Sequence, residues 1–400
     1  MALSHSNLSW DRNPLREGAV INRQAIQQDL RDFKIENHML RYSSFIPRFY
    51  NFCKTLGLTP GKIIPSRAFC SDESQGYPII LIAKHFGAFP FNHGHVGGIV
   101  ATDRHGPHAT HGKDAVIIQA SHVGYDPQTR TFGDYRRLQT ANNDISTNCG
   151  KIESVLNWYL EEYEFARNNI FLHKKEGQYH VIIDNQLIEK QKAAGLELYQ
   201  DKIIQYDEYG YPRCTQSWST AKGYLATPEF VHKMNIDSWQ EQHKTPIMDQ
   251  LSPELFSFKK EMQYDKEGRD HLEINLLSQM PVIICSANPM LAAACINTRI
   301  EFERSFRSII KEHAYKNKNV VLISGLNIDI SPQQGQLFPL TKFVPWAASV
   351  HREDGSYTLM EQEELWQTLL EQEENNNDEI DLEKAIQLMK DVEEIHIHFD

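Results

Sequence analysis

The sequence lacks the features that would assign it to a membrane or secreted class. Its longest apolar stretch, from Pro281 to Ile296, is interrupted by Ser286, Asn288 and Pro289, and it is shorter than the roughly 20 residues of a membrane span. The first thirty residues carry charged side chains where an export signal would have its apolar run. We therefore expect no transmembrane helix, no membrane partner and a cytoplasmic location.

Cysteine is sparse and scattered. The six cysteines lie at positions 53, 70, 149, 214, 285 and 295, without close pairs. This spacing excludes the disulfide framework of a small secreted domain. In a reducing compartment most such cysteines are buried small hydrophobic residues, so only those in special surroundings are candidates for chemistry.

Positive charge is also scarce, and the negative charge is concentrated at one end. Residues 351–400 contain 16 acidic and 3 basic residues, which leaves 37 acidic and 38 basic residues in 1–350. A nearly neutral body without a basic stripe argues against nucleic acid as a partner, because phosphate binding needs clustered lysine and arginine. We interpret the acidic end as a solvated pair of helices separated near Asn375 to Asn377.

Helical periods and short apolar runs alternate along the chain. The spacing of apolar residues predicts helices over Ile21–Leu56, Lys151–Ala166 and Met290–Ile310. The predicted strands are Ile63–Ile64, Pro78–Ile82, Ala115–Ala120, Tyr179–Ile183, Val282–Cys285 and Val320–Ile323. A helix between the last two strands would form a βαβ unit, which favours a parallel sheet.

These elements predict an α/β fold with a mainly parallel sheet of four or five strands, flanked by helices. Residues 1–60 are expected to form a helical N-terminal arm, 61–346 the α/β domain, and 347–400 an acidic helical C-terminal extension. Residues 190–270 lack clear periodicity, and we treat them as an insertion in the domain.

Three residues that follow strands or precede a helix stand out as possible metal ligands. His122 comes two residues after the strand Ala115–Ala120, at the edge where open α/β sheets bind ligands. Cys149 lies just before a helix, whose N-terminus favours a thiolate, and Cys70 also follows an apolar segment. Two thiolates and one imidazole make a Cys2His zinc site with one position left for water.

Seven histidines lie between positions 85 and 122, and most are simply polar loop residues. The pair His93 and His95 lacks the Asp and His that a metallo-β-lactamase site would add, since Gly97 and Gly98 stand there. Either histidine would suit proton transfer, because the imidazole pKa is about 6.5.

The order and spacing of several blocks resemble the limiting-CO2-inducible protein B family, the theta-type carbonic anhydrases, whose zinc site is similar to that of the beta-type enzymes. The blocks are Leu56 to Leu58, Phe69 to Glu73, Phe89 to Phe91, Ser121 to Gly124, Gly133 to Gln139, Ser146 to Gly150, Val320 to Asp329 and Phe338 to Leu340. The resemblance runs from about residue 40 to 345, with 190–270 poorly matched.

The resemblance implies zinc on Cys70, His122 and Cys149, with Asp72 as the neighbouring catalytic carboxylate. It also implies a carbonate dehydratase, a lyase that interconverts CO2 and bicarbonate through attack of zinc-bound hydroxide, in a beta-carbonic-anhydrase-like fold and a homodimer. Two thiolates neutralise the zinc charge, so activity should favour alkaline pH.

The beta-type pattern places an arginine two residues after the aspartate, but Ser74 stands there in this chain. The arginine that holds Asp72 off the metal must therefore come from elsewhere. Arg136 and Arg137 lie between His122 and Cys149; we favour Arg104 first and Arg136 second. Phe89 and Phe91 are candidates to line a dry CO2 pocket.

Two other functions stay open. If Asp72 permanently occupies the fourth zinc position, the site is closed and the protein is an inactive zinc-stabilised scaffold or regulator. Alternatively, the protein is a zinc hydrolase that acts on a larger substrate, in a pocket shaped by the insertion of residues 190–270.

Overall fold

The computed structural model describes residues 33–94, 97–98, 114–137, 145–189, 194–234, 239–260, 271–393 and 397. Within these ranges, no helix combines the length and the apolar character that crossing a bilayer requires.

The described chain alternates short strands and helices. The strands are β1 (Leu40–Arg41), β2 (Ile63–Ala68), β3 (Phe91–Asn92), β4 (Asp114–Asp126), β5 (Thr131–Phe132), β6 (Asp134–Arg136), β7 (Ile145–Thr147), β8 (Ile170–Lys175), β9 (Gln178–Asp184), β10 (Gly195–Leu198), β11 (Cys214–Ser217), β12 (Ala221–Leu225), β13 (Lys244–Pro246), β14 (Phe256–Lys259), β15 (Val320–Ile330), β16 (Lys342–His351) and β17 (Tyr357–Met360). The helices are α1 (Tyr42–Thr55), α2 (Gly76–Phe86), α3 (Gly150–Asn169), α4 (Asn185–Glu189), α5 (Gln200–Ile203), α6 (Pro228–Lys233), α7 (His271–Leu276), α8 (Met280–Ile284), α9 (Pro289–Lys311), α10 (Gln362–Leu370) and α11 (Leu382–Lys390).

The first of two compact units contains residues 32–151 and 294–400, and is built on an eight-stranded sheet. The strand order is β1-β16-β15-β4-β2-β3, with β17 beside β16 and β5 beside β4. Strands β15, β4, β2 and β3 run parallel, whereas β1, β16, β17 and β5 pair antiparallel with their neighbours. The α/β class is confirmed, but the sheet is mixed rather than mainly parallel.

Alternating residues of the central strands point to opposite faces of the sheet, and both faces contact helices. Val116, Ile118 and Ala120 of β4 join a buried cluster with residues of α1, α2 and α10. In this cluster the rings of Phe45 and Phe343 stack with centroids 3.9 Å apart. Residues of the opposite parity contact α9, and Gln119 donates to the carbonyl of Thr298. His122 has the parity of the first face, so it projects on the side of α2.

Two predicted strands are helices. Pro78–Ile82 lies within α2, and Val282–Cys285 corresponds to α8, so the predicted βαβ unit is absent and α9 follows a helix instead. Pro78 and Pro281 stand in the first turns of these helices, where proline needs no N–H partner. Six other predicted elements are confirmed, by α3, α9, β2, β4, β9 and β15.

The N-terminal prediction is supported only over α1. The rest of the predicted helix before residue 33 lies outside the described residues. Pro47 is accommodated within α1, whose buried face includes Phe45, Phe49 and Tyr50.

The second compact unit contains residues 152–293, part of which was predicted as an insertion without periodicity. Its five-stranded sheet has the order β11-β12-β9-β8-β13, and every pairing in it is antiparallel. A separate antiparallel pair joins β10 to β14.

The acidic C-terminal extension packs against the rest of the first unit over much of its length. Leu365 and Leu369 of α10 are fully buried. The following segment carries Asn376, whose amide contacts both Nδ1 and the carbonyl of His85, and Asp378, which pairs with Lys54. Of the two helices described in this extension, α10 has buried residues and α11 has none. The prediction of two solvated helices therefore holds for α11 and not for α10.

His351 at the end of β16 gives the fold a sensitivity to acid. Its ring packs between Phe306 and Tyr357, and burial lowers its pKa from 6.5 to about 4. The unfolded chain therefore binds this proton more readily, and stability falls as the pH drops below 6.5.

The free energy of unfolding of the wild type should fall by about 2 kcal/mol between pH 6.5 and pH 5, since one pKa unit is worth about 1.4 kcal/mol. We expect His351→Phe to abolish this decrease. Urea unfolding at the two pH values measures this difference. His313→Phe, at an exposed position, is the control and should unfold like the wild type. An equal acid sensitivity in His351→Phe would assign the effect to other groups.

Candidate metal centre

The topology brings three candidate ligands to one edge of the first unit. Cys70 follows β2, and Cys149 directly precedes α3. Cys70 lies close to His122 because β2 and β4 are parallel neighbours. Cys149 lies close to it because the backbone N–H of Gly124 on β4 donates to the carbonyl of Asn148. His122 does not follow its strand as predicted, since β4 continues to Asp126 and carries His122 within it.

The three ligand atoms form a compact buried group. One atom from each of Cys70, His122 and Cys149 lies within 4.8 Å of the others, and the two sulfur atoms are 4.0 Å apart. Two thiolates on a tetrahedral zinc ion are about 3.8 Å apart, so this separation fits. The Nε2 atom of His122 is buried without a hydrogen-bond partner in the described chain, as expected of an atom that binds a metal. The donor set and the orphaned nitrogen together fit a metal ion.

The ligands shift one another's pKa values. Contact with Cys149 lowers the pKa of Cys70, and the same contact raises the pKa of Cys149. Burial opposes the charged form of His122, but Cys149 and Asp329 raise the pKa of His122 well above its usual value. A metal needs all three ligands deprotonated, so its binding must release protons and weaken in acid.

Asp329 on β15 contacts the imidazole of His122 at Nδ1, the ring nitrogen that faces away from a metal bound at Nε2. Its Oδ2 atom lies 2.9 Å from Nδ1 of His122, and both side chains are fully buried. Strands β15 and β4 run parallel with Asn327 opposite His122, which brings Asp329 to the ring. A carboxylate in this position fixes the tautomer that leaves Nε2 free to bind a metal.

The same oxygen of Asp329 accepts three further hydrogen bonds. The donors are Ser74 Oγ at 2.9 Å, Gln75 Nε2 at 2.7 Å and Asn148 Nδ2 at 3.1 Å. Ser74 and Gln75 lie in the turn after Cys70, and Asn148 precedes Cys149. One buried carboxylate therefore ties together the segments that carry all three ligands.

A second row of buried amides extends this network into the core. Asn327 donates to Oε1 of Gln75 at 2.6 Å, and the hydroxyl of Tyr42 donates to Oδ1 of Asn327 at 2.8 Å. Buried polar networks of this kind are rigid. The contacts of Gln75 with Asn327 and Asp329 therefore fix the turn that carries it.

Asp72 lies next to an arginine, but this is Arg137. The Arg137 NH2 atom is 3.7 Å from Oδ2 of Asp72, and its other nitrogens contact Glu73 and Ser146. The guanidinium also lies over the ring of Tyr135, 5.1 Å from its centroid. The backbone N–H of Ser74 donates to Oδ1 of Asp72. Asp72 is thus held outside the compact ligand group.

The two arginines that we favoured are placed differently. Arg136 ends β6 and lies beside Asp126, with Nε 3.6 Å from Oδ2. Adjacent residues of an extended chain point in opposite directions, which is why Arg137 and not Arg136 reaches Asp72. Arg104 lies outside the described residues.

Glycines bring the backbone close to the Cys70 loop. A Cβ atom on Gly94 would lie 2.0 Å from the carbonyl oxygen of Phe69. The N–H of Gly97 donates to the Cys70 sulfur at 3.2 Å, which stabilises its thiolate. Asn297 on α9 donates to the Gly97 carbonyl and to Ser121, and so positions the donor.

The remaining sequence candidates are not gathered around the ligands as predicted. Phe89 and Phe91 are 76% and 49% exposed, so they do not line a dry pocket in this structure. His93 is buried, with its ring 5.9 Å from that of Phe91. His95 lies outside the described residues.

The sequence of β15 carries a local signal for Asp329. Asn327 and Asp329 are polar residues two positions apart in an otherwise apolar strand, so they face the same side. Buried polar residues in that pattern need partners, and here Asn327 contacts Gln75 while Asp329 contacts His122.

Comparisons with known proteins give structural matches only. No family model and no curated protein matches the sequence. Among solved structures, the chain is similar to PtLCIB4, which is described as a homologue of the limiting CO2-inducible protein LCIB. The TM-score is 0.47 and the identity 10%, and the match covers 84% of this chain and 99% of that one. A variant of PtLCIB4 matches at a TM-score of 0.48 and 10% identity, covering 83% of this chain and 97% of that one. LCIB itself matches at a TM-score of 0.42 and 12% identity, covering 83% and 99%.

Identities and scores this low carry neither an activity nor a ligand to this chain. The residues of the site have to support any function.

Proposed function

We propose that this protein is a zinc-dependent carbonic anhydrase, a lyase of the limiting-CO2-inducible protein B type that interconverts CO2 and bicarbonate. The observation that carries the proposal is the buried group of Cys70, His122 and Cys149 with the orphaned Nε2 of His122. These three residues would hold the ion. When bound there, zinc supplies a Lewis acid that makes a water molecule more acidic.

The compact group supplies three protein ligands, one fewer than a tetrahedral zinc ion takes. Asp72 is not part of the compact group, since Arg137 and the Ser74 N–H hold its carboxylate. Three protein ligands with a fourth position available are typical of catalytic zinc, whereas four protein ligands are typical of structural zinc. This arrangement favours an enzyme over a closed scaffold.

Asp72 has the chemistry of a proton acceptor near the ligands. Its side chain is partly exposed, and one oxygen accepts a backbone hydrogen bond while the other faces Arg137. A carboxylate held in this way can orient a water molecule by accepting its hydrogen bond. Arg137 is the positioning residue that keeps Asp72 from becoming a ligand.

Partners and location follow the same proposal. The resemblance implies a homodimer, and the connection between β15 and β16 exposes Leu337, Phe338 and Leu340, which suit burial against a second copy. The nearly neutral body argues against nucleic acid, and we propose a cytoplasmic protein whose substrates are CO2 and bicarbonate.

Asp72→Ala tests the proposed function. This variant should keep its zinc and lose CO2 hydration measured by stopped flow, because the three ligands are intact while the proton acceptor is gone. Loss of both zinc and turnover would make Asp72 a ligand and favour the closed scaffold. Unchanged turnover would remove Asp72 from the mechanism.

A matched pair of variants tests the arginine. Arg137→Gln should lower CO2 hydration by on the order of tenfold to a hundredfold, because misplacing a catalytic group by about 1 Å has an effect of that size. Arg136→Gln, which alters the neighbouring residue beside Asp126, should have a much smaller effect. A larger loss for Arg136→Gln than for Arg137→Gln would reverse the assignment.

A further inference from the structure

A pair of histidine side chains lies in the other compact unit, on the sheet of β8, β9, β11 and β12. His173 on β8 and His180 on β9 are directly opposed across the two strands. Their ring centroids are 6.2 Å apart, and the planes are tilted by 44°. The proposed carbonic anhydrase site uses neither residue.

The hairpin fixes this pair. Its two-residue turn contains Glu176 and Gly177, whose φ values of 52° and 76° are typical of the tight turn that sets strand register. Directly opposed residues of an antiparallel pair have Cβ atoms about 4.5–5.5 Å apart, so the two imidazoles share one face of the sheet.

The two rings line a cavity of about 150 Å³. Its lining residues also include Lys175, Glu176, Thr215 and Gln216. Nδ1 of His180 is 3.1 Å from the Thr215 hydroxyl, which leaves Nε2 as the nitrogen able to bind an ion. The cavity is large enough for a hydrated ion, since a water molecule occupies about 30 Å³.

Charge around the cavity is balanced. Lys175 lies 4.0 Å from Glu176, and Lys244 lies over the ring of Trp218, while Glu241 accepts the backbone N–H of Glu176. Two carboxylates accompany the two ammonium groups, so the field selects neither cations nor anions. The donor atoms must therefore decide which ligand binds.

Both histidines are prepared to act as ligands at neutral pH. Burial and then Lys244 lower the pKa of His173, and burial and then His173 lower the pKa of His180. Neutral imidazole is the form that binds metals, and it suits zinc, copper and nickel.

We infer that His173 and His180 form a second metal site, which binds one divalent late transition-metal ion between their imidazoles. At metal–nitrogen distances of about 2.0–2.1 Å, two rings on one ion have centres about 5–6 Å apart, so a small side-chain rotation closes the site. Water completes the coordination.

The test uses the whole protein with its first site loaded with one zinc per chain. Copper(II) is then titrated, and binding is followed by calorimetry and electron paramagnetic resonance. Because the chain contains 18 histidines, the comparison is made between variants. His173→Asn and His180→Asn should each weaken the tightest copper site at least tenfold, whereas His232→Asn, at an exposed position in the same unit, should leave it unchanged.

The wild-type resonance spectrum provides a readout that needs no variant. Nitrogen hyperfine structure from two imidazoles, lost in both strand variants, would support the site. Equal copper affinity in all four proteins, or a two-nitrogen spectrum that persists without His173 and His180, would overturn it.

Discussion

His122→Ala and Cys149→Ser should each reduce bound zinc to below about a tenth of an ion per chain and abolish CO2 hydration. Each change removes one of three protein ligands, and a catalytic zinc site with two remaining ligands loses most of its affinity. His122→Ala also removes the ring that faces the buried carboxylate of Asp329. Elemental analysis after dialysis, together with stopped-flow hydration, measures both effects.

Cys214→Ser is the control for this experiment. Cys214 is exposed and lies in the other compact unit, so this variant should retain the zinc and the turnover of the wild type. Full zinc content in both ligand variants would contradict the assignment of the centre. Loss of zinc in Cys214→Ser would show that the metal is bound elsewhere.

Asp329→Asn should weaken zinc binding by about 10-fold to 100-fold, the usual effect of losing a carboxylate behind a metal-binding histidine. The amide cannot accept all the hydrogen bonds that Oδ2 receives, so the orientation of His122 and the turn of Ser74 and Gln75 both loosen. Competition with a chromophoric chelator gives the dissociation constant.

Asp126→Asn separates this effect from a general loss of stability. Asp126 is a buried aspartate at the end of β4, the strand that carries His122, where it contacts Arg136 and Ser331. Both variants should lower the free energy of unfolding by roughly 1–3 kcal/mol, but only Asp329→Asn should weaken zinc binding. Equal zinc affinity in the two variants would mean that Asp329 has only a structural role.

The sequence alone was enough to select the candidate metal ligands, but not the residues that contact and orient them. Cys70, His122 and Cys149 could be selected because each residue has metal-binding chemistry and lies near the end of a predicted element. Asp329 and Arg137 act through contacts with residues far away in sequence, 207 positions in the case of His122 and Asp329. Nothing local distinguishes Arg137 from Arg136 except the direction in which an extended strand turns each side chain.

The fold could be predicted where the period is long and not where the apolar run is short. Helices α3 and α9 have 20 and 23 residues, which is enough for the helical period to be recognised. The runs Pro78–Ile82 and Val282–Cys285 are apolar on all sides, so the same letters fit a buried strand or a buried helix. The antiparallel pairing of β16 depends on long-range contacts, which is why the sheet was predicted as mainly parallel.

The central claim is that Cys70, His122 and Cys149 form an open zinc centre that hydrates CO2. It is tested most directly on one preparation, by measuring zinc per chain and CO2 hydration at pH 7.0 and pH 8.5. We predict one zinc per chain and turnover that rises at the higher pH, because two thiolates make a water ligand less acidic than three histidines do. One zinc without turnover at either pH would contradict the enzyme, and a chain without zinc would contradict the metal centre itself.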